Sequence, residues 1–125
     1  MRQTIIVILL TAWVILIGAK QKEQIDFSDF ELMSATAYCM GEVTANGSKV
    51  HEGGCACNTH LGEVAIVYTT DGTFLGYYEC NDTGSTDGLN KGTVIDIYRN
   101  NLTRCEMFMK VTGGKVYVKW IKGVG

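Results

Sequence analysis

The chain has 125 residues and a formal net charge of −2, with no run of Lys or Arg. Phosphate binding depends on clustered positive charge that releases counterions, so this balance argues against a nucleic-acid partner. Residues 1–34 differ in character from the rest of the chain, which leaves about 90 residues for one small domain with a single core.

Met1-Arg2-Gln3 precedes an uncharged, strongly apolar run from Thr4 to Ala19, which ends at Lys20-Gln-Lys22. A buried core helix would carry a polar face and this run has none, so residues 1–19 read as a signal anchor or signal peptide. As a helix the run reaches roughly 24 Å, short of the roughly 30 Å hydrocarbon core, with Arg2, Trp13 and Lys20 placed to help it fit. Ile17-Gly18-Ala19 is a poor small-x-small cleavage site, which favours an anchor in the cytoplasmic membrane. Residues 20–34 are polar and acidic, with Phe27, Phe30, Leu32 and Met33 interspersed at neither the strand nor the helix period, and they read as a tether packing partly on the domain.

From Ala35 onward turn residues recur every eight to twelve positions, the spacing of an all-β barrel or sandwich. Proline is absent, so Gly and Asn must supply the turns. Glu63–Thr70 and Thr73–Cys80 read as a hairpin joined by Asp71-Gly72 as a type I′ pair. Asn100-Asn101 can cap a short helix over 102–109. Lys110–Thr112, Gly113-Gly114 and Lys115–Ile121 read as a second hairpin, the last strand presenting Val116, Val118 and Trp120 on one apolar face.

The most informative stretch is Glu79 to Tyr98, a polar, Gly-rich loop between two apolar, β-prone flanks. Val94, Ile95, Ile97 and Tyr98 have the character of a half-buried strand, which puts Asp96 on one face with Val94 and Tyr98. A carboxylate there is costly unless it is paired or protonated, so it is either an edge aspartate facing solvent or Lys91, or a functional group. Five cysteines (Cys39, Cys55, Cys57, Cys80 and Cys105) in an exported chain imply one or two disulfides and a leftover thiol, with connectivity open. His51, Cys55, Cys57 and His60 form a weaker alternative, a compact zinc site whose spacing matches no standard module.

Asp82-Thr83-Gly84, Lys91-Gly92 and Ile95-Asp96-Ile97-Tyr98 together resemble the signature of the three-aspartate (3D) domain, a family related to membrane-bound lytic transglycosylase A and to barwin and expansin domains. Ala35-Thr-Ala-Tyr38-Cys39, Thr44-Ala-Asn-Gly47 and Gly54-Cys-Ala56-Cys-Asn58 resemble the family's upstream segments, so the likeness spans about 35–121. It implies a small six-stranded double-psi β-barrel over 35–125, preceded by the N-terminal hydrophobic helix and located outside the cytoplasm. It further implies lytic transglycosylase activity on peptidoglycan glycan strands, with no cofactor and with 1,6-anhydro-muramyl products. Asp96 matches the catalytic acid and Asp82 a supporting aspartate, while Tyr38, Asn58, Thr83, Gly84, Lys91 and Gly92 would shape the glycan groove. The chain departs from the pattern in two places: the Asp82–Asp96 segment is three residues longer, and the family's first aspartate falls on Asn58, which keeps the size but not the charge. The alternatives are a non-catalytic, expansin-like wall-glycan-binding domain and, on the cysteines alone, a small redox or metal-binding surface protein.

Overall fold

The computed structural model describes residues 25–122. Its strands are β1 (Glu31–Tyr38), β2 (Gly54–Ala56), β3 (Glu63–Thr69), β4 (Phe74–Asp82), β5 (Val94–Tyr98) and β6 (Lys115–Lys122), with helices α1 (Asp87–Lys91) before β5 and α2 (Leu102–Thr112) after it. The strands close into a barrel in the order β1-β5-β2-β4-β3-β6. Two pairs are parallel, β1 with β5 and β2 with β4, and the other neighbours are antiparallel.

Strict alternation builds the core. Met33 and Ala35 of β1, Ala65 and Val67 of β3, Ile95 and Ile97 of β5, and Val116 and Val118 of β6 are all buried, as period-2 side-chain placement demands. The apolar face expected for the last strand is therefore present, with Trp120 packed against the same cluster. Helix α2 contributes Cys105, Phe108 and Thr112, spaced three and four apart on one face, and Phe108 joins the core.

Three local expectations change. Strand β1 begins at Glu31, inside the segment expected to be a tether, because Glu31–Ser34 pairs with Lys115–Val118 of β6 and Met33 is buried. Just before it, Phe27 stacks on Tyr117 at 4.4 Å and Phe30 meets Tyr68 edge-on at 5.7 Å. The β3–β4 hairpin is not the two-residue type I′ connection, which needs positive φ at both central residues. Only Gly72 has one, at 92°. The Gly72 N–H donates to Thr69 O at 3.1 Å and the Thr69 N–H to Thr73 O at 2.8 Å, a three-residue connection ending in a left-handed glycine. Finally, Lys110–Thr112 forms no strand. It is the last turn of α2, capped by left-handed Gly113, whose N–H donates to Met109 O. Asn101 caps the other end as expected, its side chain accepting from the Arg104 N–H at 2.9 Å.

The apolar run at 4–19 and residues 20–24 of the tether lie outside the described residues. Among those that are described, no helix is long and apolar enough to cross a membrane.

Candidate functional site

Strand register brings the two strand aspartates onto one face. In β5, Ile95 and Ile97 point inward, so Asp96 points out. In β4, Tyr78 and Cys80 are buried, and strict alternation would send Asp82 inward as well. A register shift prevents this: Cys55 of β2 pairs with Cys80, but the next residue, Ala56, pairs with Asp82. One extra residue, Asn81, is accommodated as a bulge, which re-aims the side chain after it. Ala56 also pairs with Asp96, and Asp96 with Thr36. Thr36, Asp96, Ala56 and Asp82 therefore form one row across four neighbouring strands, with the two aspartates on either side of a buried alanine. At the usual strand spacing their backbones are about 10 Å apart. Gly54 is required beside the bulge, since a Cβ there would lie 2.8 Å from the Asn81 amide.

The surroundings of the two carboxyls differ. Asp96 accepts a single side-chain hydrogen bond, from the Thr36 hydroxyl at 2.8 Å. Burial raises its pKa above the ordinary carboxylate value; the Thr36 bond pulls the other way, and the charge of Asp82 adds to the rise. Asp82 is held from three sides, by the Tyr38 hydroxyl at 3.2 Å, the Ala45 N–H at 3.1 Å and the Thr83 N–H at 2.9 Å. The Tyr38 phenol is itself raised, by burial first and then by Asp82, so it keeps its proton and stays a donor. Its ring meets Tyr98 edge-on at 5.4 Å, as expected for residues opposed in the β1–β5 register.

Asn58 hydrogen-bonds to neither carboxyl. Its amide clamps the loop between the aspartates: Nδ2 donates to Gly84 O at 2.7 Å and to Asn90 Oδ1 at 2.6 Å, and the Gly84 N–H donates back to Oδ1 at 3.0 Å. The polarity of the Gly84 backbone fixes which way the amide points. Gly84 is constrained on its other side too, because a Cβ would meet Leu89 of α1 at 2.5 Å.

The remaining groove candidates have structural roles. Lys91 reaches back to Asp87 at 2.9 Å in an exposed pair one helical turn apart, and Gly92 is the left-handed cap of α1 with φ 77°. Thr83 is exposed and touches Asp82 through its backbone N–H.

The four residues of the zinc alternative do not come together as a ligand set. Cys57 is bonded to Cys80, and Cys55 is sealed in the barrel with its thiol pKa pushed far up by burial. His60 stacks on Trp120 at 4.3 Å and pairs with Glu63, while His51 bonds Glu52 O. No group of three or more metal-binding side chains occurs among the described residues.

Two contributors carry no mark in the sequence, Thr36 and the Ala45 N–H. Thr36 shares the outward face of β1 with Tyr38, but only the parallel register of β1 with β5 shows that it meets Asp96. Ala45 belongs to a loop held by the buried Thr44, and no side-chain pattern marks a backbone donor. A cavity of about 340 Å³, lined by Leu75, Arg99, Arg104, Met107, Phe108 and Val111, lies against α2 and includes neither aspartate.

Compared with protein-family models, curated proteins and solved structures, the chain matches none.

Proposed function

We propose that this is an extracytoplasmic lytic transglycosylase of double-psi β-barrel type that acts on peptidoglycan glycan strands, with Asp96 as its general acid and base. The observation that carries the proposal is the row Thr36–Asp96–Ala56–Asp82, which sets a half-buried, sparsely hydrogen-bonded carboxyl across from a heavily hydrogen-bonded one. Two parallel strand pairs in a closed six-stranded barrel support the double-psi reading. The Cys57–Cys80 disulfide supports an oxidising compartment, and residues 4–19 would hold the domain at the membrane.

Cleavage of the muramyl–glucosaminyl β-1,4 bond without water needs one group that acts twice. Asp96 donates its proton to the leaving glycosidic oxygen as the bond to the muramyl anomeric carbon breaks. The resulting carboxylate then takes the proton of the muramyl 6-hydroxyl as that oxygen bonds to the same carbon. The acid is regenerated and the product is the 1,6-anhydro sugar. An acid with raised proton affinity suits the first step; burial sustains that affinity and the charge of Asp82 adds to it.

The test is mass spectrometry of muropeptides released from purified wall. Wild type should yield anhydro-muropeptides, and Asp96→Asn should lower their release by about 10²-fold or more while wall binding persists. The pH dependence of stability gives a second readout. A carboxyl whose folded pKa is raised contributes stability that is fully present below its unfolded pKa and lost as pH rises through the folded one. Asp96→Asn should therefore be more stable than wild type at neutral pH, and the gain should vanish in acid.

A binding-module reading is favoured by one observation, the uncharged clamp at Asn58 where the resembled family has an aspartate. Wild-type protein that sediments with the wall and releases no anhydro products would establish it over the enzyme.

A further inference from the structure

The cysteine inventory leaves two thiols without an assigned role. Cys57 and Cys80 are bonded, and Cys55 is enclosed in the barrel core. Cys39 and Cys105 remain. Cys39 directly follows β1, where the Arg99 N–H donates to Tyr38 O at 2.9 Å and holds the end of β1 beside the exit of β5. The chain then turns at Asn100-Asn101, and α2 starts under the Asn101 cap. The first turn of α2 carries Cys105, whose N–H donates to Asn101 O at 3.1 Å and whose side chain lies on the buried face. Helix α2 packs against β1, which brings Cys105 near enough to Cys39 for the two side chains to interact.

We propose that Cys39 and Cys105 form a second disulfide, which fastens the first turn of α2 to the end of β1 and leaves Cys55 as the one free thiol. Cys39 is partly exposed and Cys105 is buried, so exchange starts at Cys39. Its thiolate attacks a small disulfide such as oxidised glutathione, forming a mixed disulfide and releasing one glutathione thiolate. The Cys105 thiolate then attacks the Cys39 sulfur and releases the second. The protein gives up two protons and two electrons, and the oxidant becomes two thiols. The tie closes a long loop, from position 39 to position 105, where cross-linking constrains the unfolded chain most. It also anchors the residue next to Tyr38, the hydroxyl donor to Asp82.

The full chain, folded in a glutathione redox buffer, would be denatured without reductant, alkylated, digested and analysed by mass spectrometry. The expected result is two linked peptide pairs, Cys39 with Cys105 and Cys57 with Cys80, and alkylation at Cys55 alone. Cys39→Ser should raise the alkylated cysteines from one to two by releasing Cys105. Cys105→Ser should lower the thermal midpoint relative to wild type in oxidising buffer and leave it unchanged in reducing buffer. Alkylation of both Cys39 and Cys105, or linkage of Cys39 to any other cysteine, would overturn the proposal. These readouts are independent of glycan cleavage.

Discussion

The β3–β6 wall and the β1–β5–β2–β4 face are parts of one barrel held together in different ways. Antiparallel pairing of β3 with β6 runs the whole length of β3, from Glu63↔Lys122 to Thr69↔Val116. Ala65, Val67, Val116 and Val118 fill its inner side, and Phe27, Tyr68, Tyr117 and Phe74 cluster nearby through ring contacts. Across the barrel, β2 has three residues, its pairing with β4 changes register midway, and the loops around it hang on single side chains such as Asn58. Stability in the wall is spread over a backbone ladder and apolar area. On the face it is concentrated in a few directional polar ties, which is also what positions two carboxyls on one surface.

Substitutions on each side should expose that contrast. Asn58→Asp is expected to have the largest effect on folding. It removes the donors to Gly84 O and Asn90 Oδ1 and sets a negative charge against two acceptors, at a cost of about 1–3 kcal/mol in denaturant unfolding. Although it restores the aspartate of the resembled family, it should not increase anhydro-muropeptide release; a gain would show that charge at this position matters more than the clamp.

On the wall, Phe27→Ala removes the stack on Tyr117 and the edge contacts with Phe30 and Tyr68. The expected loss is about 1–2 kcal/mol, with release per folded molecule unchanged. If release fell along with stability, the two regions would be coupled and the contrast between them would be wrong.

Asp82→Asn probes the face more finely. A general acid of the kind proposed for Asp96 must hold its proton, so release should fall as pH rises through its pKa. The Asp82 charge helps raise that pKa, and removing it should move the alkaline limb of the pH–rate profile to lower pH, with a smaller loss at the optimum than for Asp96→Asn. A limb that stays in place would mean that the two carboxyls do not communicate.

The smallest effect belongs to Lys91→Ala. The Lys91–Asp87 pair is solvent-exposed, and such pairs contribute less than about 1 kcal/mol. Neither the thermal midpoint nor glycan release should change measurably, whereas a clear loss of release would show that Lys91 serves the glycan groove.

Much of the architecture can be read from the chain because it depends on local patterns. The apolar, β-branched run at Val64–Val67 and the alternation at Val116–Trp120 mark strands, Asn101 marks a helix start, and Asp96 inside a β-prone run marks an unusual strand carboxyl. Turn geometry is less legible, because Asp-Gly serves both a two-residue and a three-residue hairpin and Lys110–Thr112 suits a strand as well as a helix end. In each case the choice depends on what the flanking segments pack against.

By itself, then, the sequence determined the β-rich class, the apolar face of the last strand and the presence of an unusual strand aspartate, since these derive from side-chain period and burial cost. Only the tertiary structure decided that Asp82 shares the Asp96 face, because one bulge residue at Asn81 reverses the parity of everything after it. It also decided that Asn58 clamps a loop, that Cys57 bonds Cys80 and that Thr36 meets Asp96. Each of these pairs joins segments far apart in the chain, and the register that brings them together is set by closure of the whole barrel.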